Sequence, residues 1–407
     1  MGRMLPLMRA SRESPAASPV VSSELCKVNE VSPVTPIAIV RENGTLEELG
    51  RWIGAERVLE LERPGYPFLG VGRHSVEGEL PWLFWDMCPS GFLGRRFAQL
   101  FPELHLPDRD ALWSAEHSLR ALSQRGEDLS GNLIIGAESR ARFERDFVPA
   151  IRSGALKRSD YATVVEEFLS NATSAASSSL GGARPKLVLH SVGSIAPRDM
   201  LLKFTPPLDT ELGRRWNQLL LLESLCAQTL SQHGIAAVGA SPETYQLLPG
   251  GRRGGLLLPR FDREPTLGRR GASTLYWLAL SRNEFEKAAP EVMRSLATDG
   301  LVSDEDARTV SLVHQFSAAI GNNDAHLGNY GLVFDALGNA SLAPIFDVTA
   351  MVFAPLAEEL PDSRVAPRTG AIPEPVEPLV QTLVSLVEAE PRIDPAFRSL
   401  WLRYVGA

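Results

Sequence analysis

The sequence predicts an α+β protein of bilobal form, with a small β-containing lobe, a mainly helical C-terminal lobe and a mixed α/β domain before them. Three short apolar segments, 187–190, 200–204 and 256–258, have the length and boundaries of strands. One long helical pattern, 214–233, interrupts them, and from Leu275 onward the apolar residues follow helical spacing. This order of elements favours a β-containing lobe followed by a helical one.

The chain is long enough for more than one domain, since its 407 residues exceed the ~100 to 200 residues that are usual for one. Residues 1–36 contain five Pro, six Ser and no aromatic residue, a composition that predicts a disordered leader. We expect an N-terminal domain at 37–160, the small lobe at 161–272 and the helical large lobe at 273–407.

Local patterns support this division of the chain. The N-terminal domain starts with a strand-like segment, 37–41, and contains an aromatic cluster at 81–86. An uncharged, serine-rich stretch at 170–182 precedes the first strand of the small lobe and is by itself typical of a linker. In the large lobe, residues 309–320 and 378–389 carry apolar side chains along one face, which predicts amphipathic helices.

Charge and apolar patterning exclude several classes of protein. Forty-one Lys and Arg against 49 Asp and Glu give a net charge of -8, which disfavours nucleic acid as a direct partner. No apolar run approaches the ~18 residues of a membrane-spanning helix. The three cysteines lie far apart, which excludes a disulfide framework and indicates reduced thiols in a cytoplasmic protein. The arginine-rich segment 252–270 is interpreted as a solvated loop surface.

The most informative segment is 321–329, GNNDAHLGN, which follows the helical pattern that ends at Ile320. Asp324 and Asn329 have the spacing of the protein-kinase catalytic loop, in which the Asp accepts the substrate hydroxyl proton and the Asn holds Mg²⁺. Residues 342–347 are predicted to form a strand that ends in Asp347, a second oxygen ligand for Mg²⁺. An Asn- and Asp-rich turn that ends a helix is the alternative interpretation for any one of these residues.

A lysine and a glutamate stand out in apolar surroundings. Lys203 lies inside the apolar strand 200–204, where an unpaired charge is costly. Glu223 lies on the apolar stripe of the helix 214–233. The two charges are expected to pair, as the strand Lys and helix Glu of protein kinases do when they place the phosphates. An edge-strand Lys and a Glu at the margin of the stripe are the alternative.

The segment 177–186, SSSLGGARPK, offers a second group of phosphate-binding features. Its glycines let backbone N–H groups approach a phosphate, and two cations and several hydroxyls accompany them. It matches neither a Walker A loop nor GxGxxG, so a linker is an equally simple interpretation.

Taken together, these segments resemble the HipA family of bacterial serine/threonine kinase toxins, which has a protein-kinase-like fold. Residues 181–186 (GGARPK) are similar to the family's GAQPK loop, and 260–263 (RFDR) to its RFDR motif. Residues 321–329 are similar to GNxDxHxKN, and 342–347 (LAPIFD) to LxPxYD. The motifs keep the family's order and spacing over roughly residues 120–350.

Further similarities and some departures refine this assignment. Residues 126–132 resemble the turn that ends the family's N-terminal domain, and 86–96 (DMCPSGFLGRR) resemble the HipH (YjjJ) branch in particular. Gly328 stands where the family commonly has Lys, Arg184 where it has Gln, and Pro259 where Glu is common. The first departure removes a charge from the catalytic loop, and the last removes a hinge N–H.

The resemblance implies a role for each matched residue, with ATP and Mg²⁺ as cofactors. The implied roles are Asp324 as catalytic residue, Asn329 and Asp347 as Mg²⁺ ligands, Lys203, Gly181, Gly182 and Lys186 around the phosphates, His326 beside the nucleotide, Phe261 against adenine, and Ser179 as the autophosphorylated serine.

The implied function is that of an ATP- and Mg²⁺-dependent protein serine/threonine kinase, the toxin of a type II toxin-antitoxin pair. The expected partners are a protein substrate, for which an aminoacyl-tRNA synthetase is a candidate, and a HipB-like antitoxin. Two alternatives stay open. One is a metal-dependent nuclease toxin with Asp324, His326, Asn329 and Asp347 as its ligands, and the other is an inactive nucleotide-binding module.

Overall fold

The computed structural model describes residues 33–147, 186–192, 197–239, 245–248, 252–264, 268–356 and 359–406. The predictions for Ser179, Gly181 and Gly182 lie outside these residues, as does the leader up to residue 32. Among the helices described, none is both long and apolar enough to span a bilayer.

The N-terminal domain is an antiparallel sheet with helices packed on it. Its strands are β1 (Val34–Val40), β2 (Leu46–Ile53), β3 (Val58–Leu61), β4 (Gly72–Ser75) and β5 (Leu133–Ile135), in the order β4-β3-β2-β1-β5. Its helices are α1 (Trp82–Met87), α2 (Gly91–Leu100), α3 (Ala115–Arg125) and α4 (Ala137–Arg142). The first strand begins three residues before the boundary predicted at 37.

Strand β1 pairs with β2 and β5 and is buried on both faces. Ile37 and Ile39 pack into one apolar cluster together with Phe84 of α1. Ala38 and Val40 point to the opposite face and pack with other apolar side chains there. Successive strand residues alternate between faces, so a nearly continuous apolar run is what a strand covered on both sides requires.

The small lobe has a four-stranded antiparallel sheet and one long helix. The elements are β6 (Lys186–Val192), β7 (Pro197–Phe204), α5 (Glu211–Gln232), β8 (Tyr245–Leu248) and β9 (Arg253–Pro259), with the strand order β6-β7-β9-β8. Leucines of α5 and β9 share one buried cluster. Each of the three predicted strands and the predicted helix lies within, or within one residue of, an observed element, so these predictions are confirmed.

The large lobe is mainly helical and also carries a small sheet. Its elements are β10 (Gly271–Thr274), α6 (Leu275–Ser281), α7 (Ala289–Thr298), α8 (Asp304–Ile320), β11 (Gly331–Phe334), β12 (Ala340–Leu342), α9 (Glu377–Ala389) and α10 (Pro395–Val405). The sheet order is β10-β11-β12. The predicted helices at 309–320 and 378–389 fall within α8 and α9. The α+β arrangement of a small β lobe before a mainly helical lobe is confirmed.

The strand predicted at 342–347 is wrong. Strand β12 ends at Leu342, and within 343–347 only Ile345 forms an isolated bridge, to Ala237. Two features of the sequence explain the early end. Pro344 has no N–H to donate to a ladder, and Asp347 adopts a positive φ of 60°, outside the strand region.

The interpretation of segment 252–270 as a solvated surface is also wrong for three of its arginines. The side chains of Arg260, Arg263 and Arg269 are 11%, 5% and 1% exposed. They meet carboxylates and carbonyl groups of the N-terminal domain. Arg252 and Arg270 are exposed, as expected for the segment. Sequence composition shows that charges are clustered but not that another domain covers them.

A second contact joins the N-terminal domain to the large lobe. Asp86, which follows Trp85 in α1, accepts hydrogen bonds from the N–H and the hydroxyl of Thr274, at 2.8 and 2.6 Å. Burial raises the pKa of Asp86. Trp85 stacks on Trp277 of α6 with 5.6 Å between the ring centroids. The segment that resembles the HipH branch thus begins at an interdomain contact.

Candidate active site

Lys203 lies at the centre of the candidate site, in a buried position on β7. Its Nζ is 2.6 Å from Glu223 Oε1 and 2.5 Å from Asp347 Oδ1. The side chains of Lys203 and Glu223 are 7% and 5% exposed, whereas that of Asp347 is 31% exposed. A buried ammonium group is costly unless it is paired. The two carboxylates therefore explain how a lysine is accommodated in an otherwise apolar strand.

Glu223 reaches Lys203 because it lies on the buried face of α5. Its neighbours on that stripe, Leu219, Cys226 and Leu230, are at most 1% exposed. The same face packs against the sheet that carries Lys203. The predicted pairing of Lys203 with Glu223 is confirmed, and Asp347 is an additional partner that the sequence did not reveal.

Asp347 is brought to Lys203 by a short segment that crosses the end of α5. The N–H of Ile345 donates to Ala236 O at 2.8 Å, and the N–H of Val238 donates to Ile345 O at 2.8 Å. The left-handed backbone of Asp347 follows two residues later. Aspartate tolerates this conformation better than most residues. The carboxylate is thus placed by backbone hydrogen bonds rather than by a regular strand.

Two aromatic rings stack beside Asp347. Phe261, just after β9, lies with its ring centroid 5.7 Å from that of Phe346 and at an interplanar angle of 23°. Both rings are half-buried, so part of their surface is accessible. Phe346 was missed by the sequence analysis, although its position directly before Asp347 in the LxPxYD-like segment was a usable signal. The pair offers a flat apolar surface of the kind on which an adenine ring stacks.

The loop 321–329 is anchored at its start. Helix α8 ends at Gly321, whose φ of 89° allows the chain to turn sharply. Asn322 is 6% exposed, and its side-chain oxygen accepts a hydrogen bond from the N–H of Asp324 at 3.1 Å. Asn322 was not predicted as a site residue. An Asn two residues before an Asp is a usable signal for this kind of turn.

Two polar side chains of the loop, those of Asn329 and His326, contact Asp324. Asn329 Nδ2 donates to Asp324 O at 2.6 Å, and His326 Nε2 lies 3.8 Å from Asp324 Oδ1. The side chains of Asp324 and His326 are 54% and 60% exposed. The Asp324 carboxylate is thus accessible to a substrate from solution, while its backbone is held in place.

The loop and the Asp347 segment run side by side. The N–H of Ala343 donates to Gly331 O at 3.0 Å, two residues after Asn329. A side chain at Gly331 would meet Phe346, whose Cε1 lies 3.3 Å from the position of the missing Cβ. Asn329 and Asp347 therefore belong to adjacent segments of the large lobe.

Lys186 shares a sheet face with Lys203. The two residues are directly opposite in the antiparallel pair β6 and β7. Opposed residues in such a pair project to the same side of the sheet, and like charges in this position are destabilising unless an anion lies near. The glycines of the same motif, Gly181 and Gly182, lie outside the described residues, as does Ser179.

The donor atoms present fit a magnesium ion. Mg²⁺ prefers oxygen ligands and is commonly bound through one or two carboxylates together with phosphate oxygens. Asp347 supplies a partly exposed carboxylate, and Asn329 supplies a carboxamide oxygen. In the described ranges, no three His, Cys, Asp or Glu side chains are grouped so that they could hold an ion by themselves.

Comparison with known proteins identifies two matching regions. Residues 31–144 match the family model of the YjjJ-like toxin middle domain, and residues 178–374 match that of the HipA-like C-terminal domain. Toxin YjjJ of Escherichia coli (strain K12) is 30% identical over 331 residues, which are 79% of this chain and 72% of that protein. The crystal structure of a Helicobacter pylori proinflammatory kinase, CtkA, has 14% sequence identity and a TM-score of 0.37, over 56% of this chain and 88% of that chain.

The sequence match covers most of both proteins, and the two family models divide the chain into the N-terminal domain and the two following lobes described above. The chain therefore belongs to the HipA-like toxin family, in its YjjJ-like branch, and has the kinase-like bilobal α+β fold.

Proposed function

We propose that this protein is an ATP- and Mg²⁺-dependent protein serine/threonine kinase that acts as a cytoplasmic toxin of the HipA type. The observation that carries the proposal is Lys203, buried on a strand and paired with both Glu223 of the facing helix and Asp347. In protein kinases, a strand lysine, a helix glutamate and a metal-binding aspartate must all be in place for phosphoryl transfer.

Each residue of the site has a task in this reaction. Lys203 contributes positive charge toward the α- and β-phosphates of ATP, and Lys186 on the same sheet face adds a second cation. Asp347 and Asn329 would hold Mg²⁺, which neutralises charge on the phosphate oxygens when it is bound. Phe261 and Phe346 would receive the adenine ring, and His326 would lie beside the nucleotide.

Asp324 would accept the proton of the substrate hydroxyl. Its carboxylate is exposed, and its backbone is fixed by Asn322 and Asn329, so it can meet a protein side chain in a defined position. Phosphoryl transfer requires little covalent chemistry from the protein, because positioning and charge stabilisation account for most of the rate enhancement.

The nuclease and the inactive nucleotide-binding module are less well supported. Two lysines on one sheet face and a stacked aromatic pair suit the phosphates and base of a nucleotide, whereas activation of water on a metal requires neither. An inactive module would have no need of Asp324, Asn329 and Asp347 at the positions of the catalytic motifs that the sequence resembles.

The test is transfer of label from γ-labelled ATP to proteins of a cell lysate in the presence of Mg²⁺. We expect labelled protein with the wild type and none with Asp324→Asn. Asp304→Asn is the matched control, since Asp304 is an exposed aspartate at the opposite end of α8. Absence of label, combined with Asp324-dependent cleavage of plasmid DNA without ATP, would establish the nuclease instead.

The labelled protein also identifies the substrate class. An aminoacyl-tRNA synthetase is the candidate that the family resemblance suggests, and mass spectrometry of the labelled band tests it.

We further propose a HipB-like antitoxin as partner. Expression of the wild type, but not of Asp324→Asn, should then arrest growth of the host cell. Arrest that persists in Asp324→Asn would show that toxicity does not depend on phosphoryl transfer.

We also propose that the kinase inhibits itself by phosphorylating Ser179. A phosphoserine carries about -1.5 to -2 charges at pH 7 and would compete with ATP phosphates for Lys203. Mass spectrometry of the protein expressed alone should find phosphate on Ser179 in the wild type and not in Asp324→Asn. Equal modification of both proteins, or modification of neither, would contradict self-inhibition.

A further inference from the structure

The turn between α3 and β5 touches the segment that carries Phe261. Asp128 Oδ1 accepts hydrogen bonds from Arg260 Nη1 at 3.3 Å and from Arg263 Nη2 at 3.1 Å. The N–H of Gly131 donates to Asp262 Oδ2 at 2.9 Å. Residues of the N-terminal domain thus hold all three polar neighbours of Phe261, namely Arg260, Asp262 and Arg263.

Backbone carbonyl groups of the same turn complete these contacts. Leu129 O accepts from Arg260 Nη2 at 3.3 Å and from Arg263 Nη2 at 2.7 Å. Gly131 O accepts from Arg263 Nη1 at 2.9 Å. Because a guanidinium group is planar and rigid, several bonds to one group fix its position closely. The ends of both arginines are therefore held by the N-terminal domain.

The cluster is mostly buried, with Asp128 24% exposed at its edge, and it pairs arginines with carboxylates. It contains three arginines, Arg260, Arg263 and Arg269, and three carboxylates, Asp128, Asp199 and Asp262. Two neighbouring guanidinium groups lower the pKa of Asp262 below its usual range, although burial alone would raise it. Among the described contacts, Asp128 is the carboxylate that the N-terminal domain supplies to these arginines.

Short contacts lead from this cluster to the candidate active site. The N–H of Arg260 donates at 3.0 Å to the carbonyl oxygen of Asp199, four residues before Lys203 on β7. Phe261, next to Arg260, stacks on Phe346, which precedes Asp347. A shift of the segment 260–263 would therefore move the aromatic pair relative to Lys203.

We propose that Asp128 is a positioning residue for the nucleotide site. Through Arg260 and Arg263 it fixes the place of Phe261, so that the N-terminal domain sets the affinity of the kinase lobes for ATP. This inference rests on the proposed function, because it assigns Phe261 to the adenine ring. It gives the turn at 126–132 a role in nucleotide binding although no residue of the turn is placed in contact with the nucleotide.

The test compares Asp128→Ala with Asp86→Ala in the full chain. Both aspartates belong to the N-terminal domain and both bond across a domain boundary, but Asp86 bonds to Thr274 rather than to the segment 260–263. Calorimetry with ATP and Mg²⁺ gives the Kd, and γ-labelled ATP gives KM and kcat. We expect Asp128→Ala to raise Kd and KM for ATP roughly tenfold, with kcat at saturating ATP changed less than about twofold.

Asp86→Ala is expected to leave KM within about twofold of the wild type even where it lowers the melting temperature. If Asp128→Ala does not fold, Asp128→Asn replaces it, because the amide keeps an oxygen acceptor and removes only the charge. If the wild type binds ATP and the Asp128 variant has the same KM for ATP as the wild type, this inference alone is overturned. A wild type that neither binds ATP nor transfers its phosphate would overturn the proposed function, and this inference with it.

Discussion

Two buried charge clusters lie close together in this protein and differ in composition. The Lys203 cluster joins one cation to two carboxylates, those of Glu223 and Asp347. The Asp262 cluster joins three arginines to three carboxylates. The Asp347 side chain is 31% exposed, whereas that of Asp262 is 9% exposed. Among the described contacts, carboxylates outnumber cations in the Lys203 cluster, and Asp347 is open to solvent. In the Asp262 cluster the described arginines and carboxylates are equal in number, and Asp262 itself is enclosed.

This difference is the one we expect between the candidate active site and a structural contact. A buried cluster with balanced charges has its desolvation cost offset internally, which suits a fixed contact between domains. A cluster in which an accessible carboxylate borders a buried lysine is suited to receive a cation and the phosphates that accompany it. We therefore expect substitutions in the Lys203 cluster to act directly on the reaction. Substitutions in the Asp262 cluster should lower stability and act on the reaction only through the ATP affinity that Phe261 sets.

The largest expected effect is the loss of activity in Asp347→Asn. Asparagine tolerates the left-handed backbone at this position, so the substitution removes the charge and keeps the local conformation. We expect phosphoryl transfer to fall by at least about 100-fold, because a carboxylate ligand of Mg²⁺ is lost. The melting temperature should change by less than about 2 °C, which corresponds to ~1 kcal/mol for a protein of this size.

Asp335→Asn is the matched control for this measurement, since Asp335 lies in the turn between β11 and β12 of the same small sheet. It should retain activity. Full activity in Asp347→Asn, measured across a range of Mg²⁺ concentrations, would contradict the assignment of Asp347 as a metal ligand.

The next largest effect is the loss of stability in Asp262→Asn. Removing one carboxylate leaves two carboxylates beside the three arginines of the cluster. Breaking a buried ion pair in this way lowers the free energy of unfolding by about 3 to 5 kcal/mol. Urea unfolding at pH 7 measures this loss. An unfolding free energy within about 1 kcal/mol of the wild type would show that the cluster does not hold the domains together.

The pH dependence of this loss has a defined sign. The folded pKa of Asp262 is lowered, so the carboxylate contributes stability at neutral pH, above its unfolded pKa. That contribution decreases as the pH falls below the ordinary aspartate value of 3.8 toward the lowered folded pKa. The difference in unfolding free energy between wild type and Asp262→Asn should therefore shrink in acid. A constant difference between pH 7 and pH 3 would contradict this assignment.

The same two clusters show how far the sequence could be interpreted. The pairing of Lys203 with Glu223 was predictable, because each charge interrupts an apolar pattern whose period shows which way it points. The third partner, Asp347, was not, because its approach depends on an isolated bridge at Ile345 and a positive φ rather than on a periodic strand.

The Asp262 cluster could not be predicted at all from composition. Arg260 and Asp128 are 132 residues apart in the chain, and neither local charge pattern indicates the other. An arginine-rich loop on a surface and one covered by another domain have the same sequence signal. The roles implied for Asp324, Asn329 and Ser179 stay predictions, because geometry brings groups together without showing the reaction.

A smaller effect is expected for Lys203→Met. Methionine fills similar space without charge, so Glu223 and Asp347 lose their common cation. We expect a stability loss of ~2 kcal/mol, below that of a fully buried pair, since Asp347 is partly exposed. The affinity for ATP, measured by calorimetry, should fall roughly tenfold because the phosphates lose a direct cation. A large drop in melting temperature with unchanged ATP affinity would make Lys203 a purely structural residue.

The smallest effect concerns Gly328, where related sequences commonly have Lys. A Cβ at this position would lie 2.9 Å from His326 Cε1, and the exposed imidazole can rotate away to make room. Gly328→Ala introduces the same Cβ without charge and is the matched control. We expect Gly328→Lys to lower the KM for ATP about twofold relative to Gly328→Ala, which is what one exposed charge contributes.

The salt dependence of that difference separates the charge from the shape of the loop. At 1 M salt, exposed charges are screened beyond about 3 Å. The difference in KM for ATP between Gly328→Lys and Gly328→Ala should therefore disappear at that salt concentration. A difference that survives high salt, or one of tenfold or more, would show that residue 328 contacts the nucleotide or the metal directly. The exposed loop 321–329 would then contact ATP as directly as the Lys203 cluster does. That result would contradict the distinction between an accessible loop and a buried phosphate site.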